Sequence, residues 1–217
     1  ACNMSKVTIA GDANGTGVFT IAAPNGNTNR TLVLPDEAGT VLTSAGVPSS
    51  AMPAGSVLQL QHTQLSTPVS QSLTTSALTE ITGFFVNITP KSVNSKILLQ
   101  VSWMGEITVD AQWGSMFSLK RNTTYLGHPV SGNRNVGIMP PSITYPVSGD
   151  NNSTPNGCMF QYIDTPATLS QVSYKVCITT GSPSVTLWTN AVFGYAANNT
   201  PGFELGMSTI TAMEIAG

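Results

Sequence analysis

Formal charge is scarce in this chain. Lys, Arg, Asp and Glu together make up 8% of its 217 residues, whereas an ordinary soluble domain carries about 25%. The formal net charge is −2, and the densest basic cluster is the pair Lys120-Arg121. Proteins that bind nucleic acid through its phosphates need a basic face. We therefore expect no nucleic-acid partner.

Long apolar runs and helical patterns are also missing. No apolar segment approaches the roughly 18 residues of a membrane span, so membrane insertion is not expected. Apolar residues do not recur at the i, i+3, i+4 and i+7 spacing of an amphipathic helix with capping residues at its ends. Hydrophobic residues still amount to 41%, which is enough for a substantial core. This composition is typical of a β-rich protein with a neutral, polar surface.

Cysteine is rare, and the three cysteines are Cys2, Cys158 and Cys177. An odd number leaves at least one thiol unpaired in a monomer. Cys158 and Cys177 fit either a cross-strand disulfide or two free thiols, and a chain assembled in a reducing compartment rarely depends on a disulfide. The sequence contains no zinc-ligand spacing, EF-hand loop, P-loop or dinucleotide-binding fingerprint. We expect no metal and no cofactor.

Groups that could carry catalysis are few as well. There is no G-x-S-x-G elbow, and the two histidines, His62 and His128, are interpreted as a polar strand position and an exposed turn residue. A glycoside hydrolase needs two carboxyl groups at a defined separation. Among the candidate carboxylates, Glu106 and Asp110 are expected to mark a turn after the strand that contains Trp103. We predict no catalytic residue and keep a host-glycan hydrolase as the less favoured alternative.

Short strands separated by turn residues run through most of the chain. From Ile97 to Trp103 apolar and polar residues alternate, which places Trp103 in the core. Tyr174–Thr179 alternates in the same way. Six shorter candidates are Val57–Gln61, Phe84–Ile88, Met116–Lys120, Met159–Ile163, Val185–Thr189 and Thr209–Ile215. Their spacing predicts an all-β fold, a jelly-roll-like β-sandwich.

A segment rich in Pro, Ser and Gly, Ser44–Gly55, divides the chain. We expect an N-terminal segment at 1–46, a linker at 47–56 and a head domain at 57–217. Within the head, Thr123–Gly157 is a long irregular stretch. Loops of that length are usually functional or cover a partner.

The N-terminal segment contains three strand-like runs, Phe19–Ala23, Thr31–Leu34 and Thr40–Thr43. Runs this short do not bury their own apolar face, because an isolated strand pair is marginal in water. The simplest way to bury this apolar face is to pack it against another copy of the same chain. This predicts an extended, intertwined β segment in a homo-oligomer.

The same segment carries a family resemblance. Ser5–Thr43 resembles the N-terminal region of tailed-bacteriophage tail-fibre proteins, at Ile9–Asp12, Thr20–Pro24 and Arg30–Val41. The resemblance continues at two later stretches, Ile88–Val101 and Ser208–Gly217, which are similar to the opening and closing of the C-terminal module of such fibres.

The resemblance implies a homotrimeric fibre or spike that is assembled in the host cytoplasm and located in the virion. Its N-terminal segment would bind other virion proteins of the tail, baseplate or collar. The residues expected at the trimer contacts are Ile21, Leu32, Leu34, Val41 and Leu42. The alternative from a different class is an accessory head-fibre, collar or capsid-decoration protein without a receptor.

Host attachment would involve a surface glycan. Fibres typically stack sugars on exposed aromatic rings bordered by polar and basic side chains. Trp113, Tyr125 and Tyr145 lie in or near polar segments rich in Gly and Pro, and Arg134 is the charged residue of its part of the long loop. These four residues are the candidate receptor contacts.

Overall fold

The structure is a computed structural model, and it describes residues 14–18, 20, 25–27, 29, 31, 47–108, 111–142 and 154–217. The chain divides into two compact units, Ala1–Val41 and Leu42–Gly217. The predicted trimer contacts Ile21, Leu32, Leu34, Val41 and Leu42 lie outside the described residues. The intertwined N-terminal segment and the domain boundaries at 46 and 57 therefore stay predictions.

The described part of the second unit is built from strands and two short 3-10 helices, Ser49–Ala51 and Gln112–Gly114. All eight stretches of the head domain that the sequence predicted as strands lie within strands, whereas two short strands, Val69–Leu73 and Thr124–Leu126, were not predicted. The strands of this described part are β1 (Val57–Leu65), β2 (Val69–Leu73), β3 (Thr79–Ile88), β4 (Lys96–Ile107), β5 (Ser115–Arg121), β6 (Thr124–Leu126), β7 (Asn156–Asp164), β8 (Val172–Thr180), β9 (Val185–Thr189) and β10 (Ser208–Ile215).

The strands form two antiparallel sheets. The first sheet has the order β1-β10-β4-β7, and β9 and β2 continue it beside the end of β4. The second sheet has the order β3-β8-β5-β6. Without β2 and β9, the eight remaining strands follow the order of a jelly roll, in which consecutive strands alternate between the two sheets except for the hairpin of β5 and β6. The predicted all-β, jelly-roll-like sandwich is confirmed.

The core lies between the two sheets and follows from the alternation of side chains along each strand. Trp103 of the first sheet packs on Phe117 of the second with ring centroids 4.8 Å apart. Phe84 and Tyr174 are also fully buried at this interface. Large aromatic side chains from both sheets thus fill the space between the layers, and the prediction of a core position for Trp103 is confirmed.

Three carboxylates are buried among the described residues, and each accepts hydrogen bonds that hold the layers or their ends. Asp164 of β7 accepts bonds from Arg121 Nη1 at 2.9 Å and from the Tyr174 hydroxyl at 2.7 Å. Glu214 accepts bonds from the Lys91 amide and the Ser95 hydroxyl. Such pairing is what makes a buried carboxylate tolerable.

The expectation that Glu106, the third of these carboxylates, marks a turn was wrong. Glu106 lies within β4, is 1% exposed, and accepts hydrogen bonds from the Phe193 amide at 2.8 Å and the Thr154 hydroxyl at 2.7 Å. Strand pairing with β9 continues β4 past Trp103 as far as Ile107. Asp110 lies outside the described residues.

Cys158 and Cys177 are both free, so the disulfide alternative is contradicted. Cys158 belongs to β7 of the first sheet and Cys177 to β8 of the second. Burial raises the pKa of each thiol to about 12. Reactivity requires the thiolate, which is scarce at such a pKa.

A Cys2→Ser variant is therefore expected to show no thiol reaction with Ellman's reagent at pH 8 in the native state. Two thiols, Cys158 and Cys177, should react after unfolding in guanidinium. The absorbance of the released thiolate measures both values. Fast reaction of the native variant would contradict the buried positions of these cysteines.

Candidate functional site

A cleft of about 580 Å³ lies on the outward side of the second sheet. Its volume falls within the roughly 300–1,000 Å³ of typical ligand sites. The lining combines residues of the β2–β3 loop, of β6 and β8, and of the loop that follows β6. The lining residues are Ser76, Leu78, Tyr125, Val130, Gly132, Asn133, Arg134, Asn135, Val136 and Thr179.

The loop that follows β6 forms the upper wall of the cleft and is held against β5. The Ile138 amide donates to the Phe117 carbonyl at 2.7 Å, and the Phe117 amide donates to the Met139 carbonyl at 2.8 Å. Gly137 makes this approach possible, because a Cβ there would meet the Phe117 carbonyl oxygen at 2.6 Å. The described part of the long loop thus pairs with β5 along its edge, and its predicted function as a loop that acts on or covers a partner stays a prediction.

Asn135 attaches the loop that follows β6 at a second point. Its side-chain Nδ2 donates to the Gly114 carbonyl at 2.6 Å, and a Cβ on Gly181 would lie 2.8 Å from the same nitrogen. Asn135 therefore connects the loop to the 3-10 helix Gln112–Gly114 and to the residue after β8. The absence of a side chain at Gly181 leaves the room for the Asn135 amide.

Arg134 supplies the positive charge of the cleft. Its turn is closed by the Arg134 amide, which donates to the Ser131 carbonyl, and Gly132 adopts φ +59° within it. The Arg134 guanidinium has a long contact of 3.4 Å to the Ser131 hydroxyl. The salt bridges found among the described residues do not include Arg134. Among the residues that the structure describes, its donors are therefore largely open to a ligand.

Tyr125 supplies the aromatic surface. It lies on β6 and is half-buried, and its hydroxyl has no hydrogen-bond partner among the described residues. The hydroxyl lies over Gly127, where a Cβ would come within 2.4 Å of it. The ring is thus held in place by close packing on the backbone of the following residues.

The four predicted receptor contacts do not all lie at the cleft. Tyr125 and Arg134 line the same cleft. Trp113 is 63% exposed but does not belong to the lining, although the adjoining Gly114 is bonded to Asn135. Tyr145 lies outside the described residues. Whether any of them contacts a receptor stays a prediction.

Several lining residues were missed in the sequence. Asn133 and Asn135 flank Arg134 directly, so the run Gly132-Asn133-Arg134-Asn135 contained a usable signal. No sequence signal marked Ser76 and Thr179, because only the pairing of distant segments brings them to the cleft. Ser76 is held there by its amide, which donates to the Thr180 carbonyl at 2.7 Å.

The cleft is suited to binding a polar ligand with apolar faces. Leu78, Val130 and Val136 supply apolar contacts, while the amides and the guanidinium supply hydrogen bonds, a combination typical of ligand sites. No carboxylate is found in its described lining. Among the described residues, no group of three or more His, Cys, Asp or Glu side chains is arranged to hold a metal ion.

Comparison with protein-family models gives no match, and comparison with curated proteins gives no relative. Within the part of the chain that the structure describes, no helix has the length and apolar character needed to cross a lipid bilayer.

Proposed function

We propose that this chain is a structural fibre or spike protein of a tailed bacteriophage, located in the virion, that forms a homotrimer and attaches to the host surface. The observation that carries the attachment role is the cleft that holds both Tyr125 and Arg134. The N-terminal resemblance supports the connection to other virion proteins of the tail, baseplate or collar. Threefold symmetry would let three weak sites act together and raise the avidity.

The proposed ligand is a surface glycan that carries an acidic sugar. An aromatic ring and aliphatic side chains suit the apolar face of a sugar ring, and Asn133 and Arg134 suit its hydroxyl and carboxylate groups. A guanidinium presents its N–H donors in a planar fork that matches a carboxylate. With no acidic residue in the described lining, the cleft has a net positive charge.

The proposed role is adhesion without catalysis. Glycoside cleavage needs a pair of carboxyl groups facing the substrate. The buried Glu106, Asp164 and Glu214 instead accept hydrogen bonds inside the sandwich or at its ends. These positions support an attachment protein over a hydrolase.

Antibody labelling of purified virions, imaged by electron microscopy, tests this function. We expect label on the tail, on its fibres or on the baseplate. An antibody to the major capsid protein gives the control for label on the head. Label confined to the capsid or collar would contradict the attachment role and favour the accessory alternative.

A further inference from the structure

The outward face of the first sheet has an unusual composition. Strand register aligns twelve outward residues of β1, β10, β4 and β7 in three rows across the sheet. The rows are Leu60, Met213, Leu98 and Ile163; His62, Thr211, Gln100 and Gln161; and Gln64, Thr209, Ser102 and Met159. We call this surface the uncharged face, because none of its residues is Lys, Arg, Asp or Glu.

Three of its five apolar residues are exposed in the single subunit, and Leu98 and Met213 are half-buried. Met159 is 73% exposed, Ile163 57% and Leu60 51%. Exposed apolar patches mark interaction sites, and depletion of charge with enrichment of Met is the compositional sign of an interface. The face therefore has the character of a surface that another molecule covers.

The outward side of the second sheet is different. Glu80 there forms salt bridges to Lys120 at 3.3 Å and to Lys175 at 2.8 Å. Charge is thus present on the outward side of the second sheet and absent from the uncharged face of the first. On the four strands of the uncharged face, the cationic residue nearest to the face is Lys96. It lies one row beyond the face on β4.

The uncharged face is large enough for the centre of an interface but not for a complete one. Four strands spaced about 4.8 Å apart and three rows about 6.8 Å apart cover roughly 400 Å² in projection. The corrugation of the side chains and the exposed Met207, next to Gln64, enlarge this area. A stable interface buries about 800 Å² per partner, so a molecule that packs on this face must also contact the surface around it.

The surface is also not flat. A recess of about 350 Å³ runs between Met159 and the two threonines of β10. Thr209 and Thr211 form one wall, and Gln100 and Ser102 form part of the floor. Side chains of a neighbouring molecule can enter this recess, which increases the area in contact.

We infer that the uncharged face packs against a second copy of this chain, an interface in the head that is separate from the predicted N-terminal contacts. Around a symmetry axis identical surfaces converge, so charged side chains there would approach like charges. Gln, Thr and Ser each donate and accept hydrogen bonds and can pair with their own kind. The inference rests on the homo-oligomer of the proposed function.

The test measures whether the face is covered in the oligomer. Gln161, which is exposed in the single subunit, is changed to Cys in a full-length Cys2→Ser background. The matched control is Asn87→Cys, an exposed position on β3 of the other sheet. Maleimide labelling at pH 7 is followed by mass spectrometry, and light scattering gives the oligomer mass. Because the core of an interface excludes solvent, we expect the Gln161→Cys thiol in the oligomer to react roughly 100-fold more slowly than the Asn87→Cys thiol.

A second variant checks the cause of protection. Met159→Glu combined with Ile163→Glu, added to the Gln161→Cys protein, places unpaired charges in the interface and should restore fast labelling. Leu169→Glu, at a residue as exposed as Ile163 at 57% but outside the face, should leave labelling slow.

The outcomes separate the two proposals. An oligomer in which the Gln161→Cys thiol reacts as fast as the control thiol would overturn the inference and leave the homo-oligomer standing. A chain that is monomeric by light scattering would overturn the homo-oligomer itself. Protection of the Gln161→Cys thiol in a dimer would support the interface and contradict the threefold symmetry.

Discussion

Asp164→Ala is expected to lower the free energy of unfolding by about 3 kcal/mol, the size typical for breaking a buried ion pair. The Asp164 side chain is 8% exposed and the Arg121 side chain 24%. Without the carboxylate, the Arg121 guanidinium loses its counter-charge, and the Tyr174 hydroxyl is left buried without its acceptor. An unsatisfied buried donor carries its full desolvation penalty. The two sheets also lose a direct connection, since Asp164 lies on β7 and its partners on β5 and β8.

Thermal unfolding at one fixed protein concentration measures this effect. For a chain of this size, about 3 kcal/mol corresponds to a fall in Tm of roughly 6–12 °C. Glu80→Ala is the matched control, because it also removes a carboxylate that forms salt bridges, but the Glu80 side chain is 40% exposed. An exposed pair contributes at most about 1 kcal/mol. Equal losses in the two variants would contradict the structural role of Asp164.

The stabilisation that Glu80 contributes, which the Glu80→Ala control removes, depends on pH. Hydrogen bonds from Lys175, and then from Lys120, hold the pKa of Glu80 below its usual value. A depressed carboxylate pKa means that the stabilisation is present at neutral pH and is lost as the pH falls through the lowered value. The small difference between wild type and Glu80→Ala should therefore disappear in acid.

Arg134→Ala is expected to weaken binding of an acidic polysaccharide by about tenfold or more. A hydrogen bond to a charged group contributes about 1.5–3 kcal/mol, and each 1.4 kcal/mol is about a factor of ten in the dissociation constant. Arg134 is exposed and forms no salt bridge with the described carboxylates, so its removal should not disturb folding. The probes are uronic-acid-containing and neutral bacterial polysaccharides on one array.

Two further variants sharpen this test. Arg134→Lys keeps the charge but loses the planar fork, so it should bind with intermediate affinity. Lys91→Ala removes an exposed cation that does not line the cleft and should bind as wild type does. If all variants bind acidic polysaccharide alike, the cleft is not the binding site. If the wild type binds no polysaccharide at all, the proposed ligand class is wrong.

The class of fold could be predicted from the sequence to a large extent. Alternation with a period of two located eight of the ten described strands, because successive side chains of a strand point to opposite faces. The short strands β2 and β6 were not predicted, because strands of five and three residues show too little of the alternation. The end of β4 was predicted too early because Gly105 breaks the apolar series that runs through Val101 and Trp103, and Glu106 was interpreted as a turn residue.

Less of the candidate site was predictable. Tyr125 and Arg134 were selected by residue type and surrounding composition, and both line the cleft. Trp113 was selected by the same criteria and lies outside the lining. Residue type alone does not tell which of several exposed aromatic side chains faces a cavity.

The sequence by itself determined the β-sandwich, the scarcity of charge and the burial of Trp103, because local alternation and composition depend only on neighbouring residues. The tertiary structure decided which distant residues meet. The cleft joins Ser76 and Thr179, and the uncharged face joins His62 and Thr211, which are 149 residues apart in the chain. Strand order and register create both surfaces, and they are set by long-range pairing.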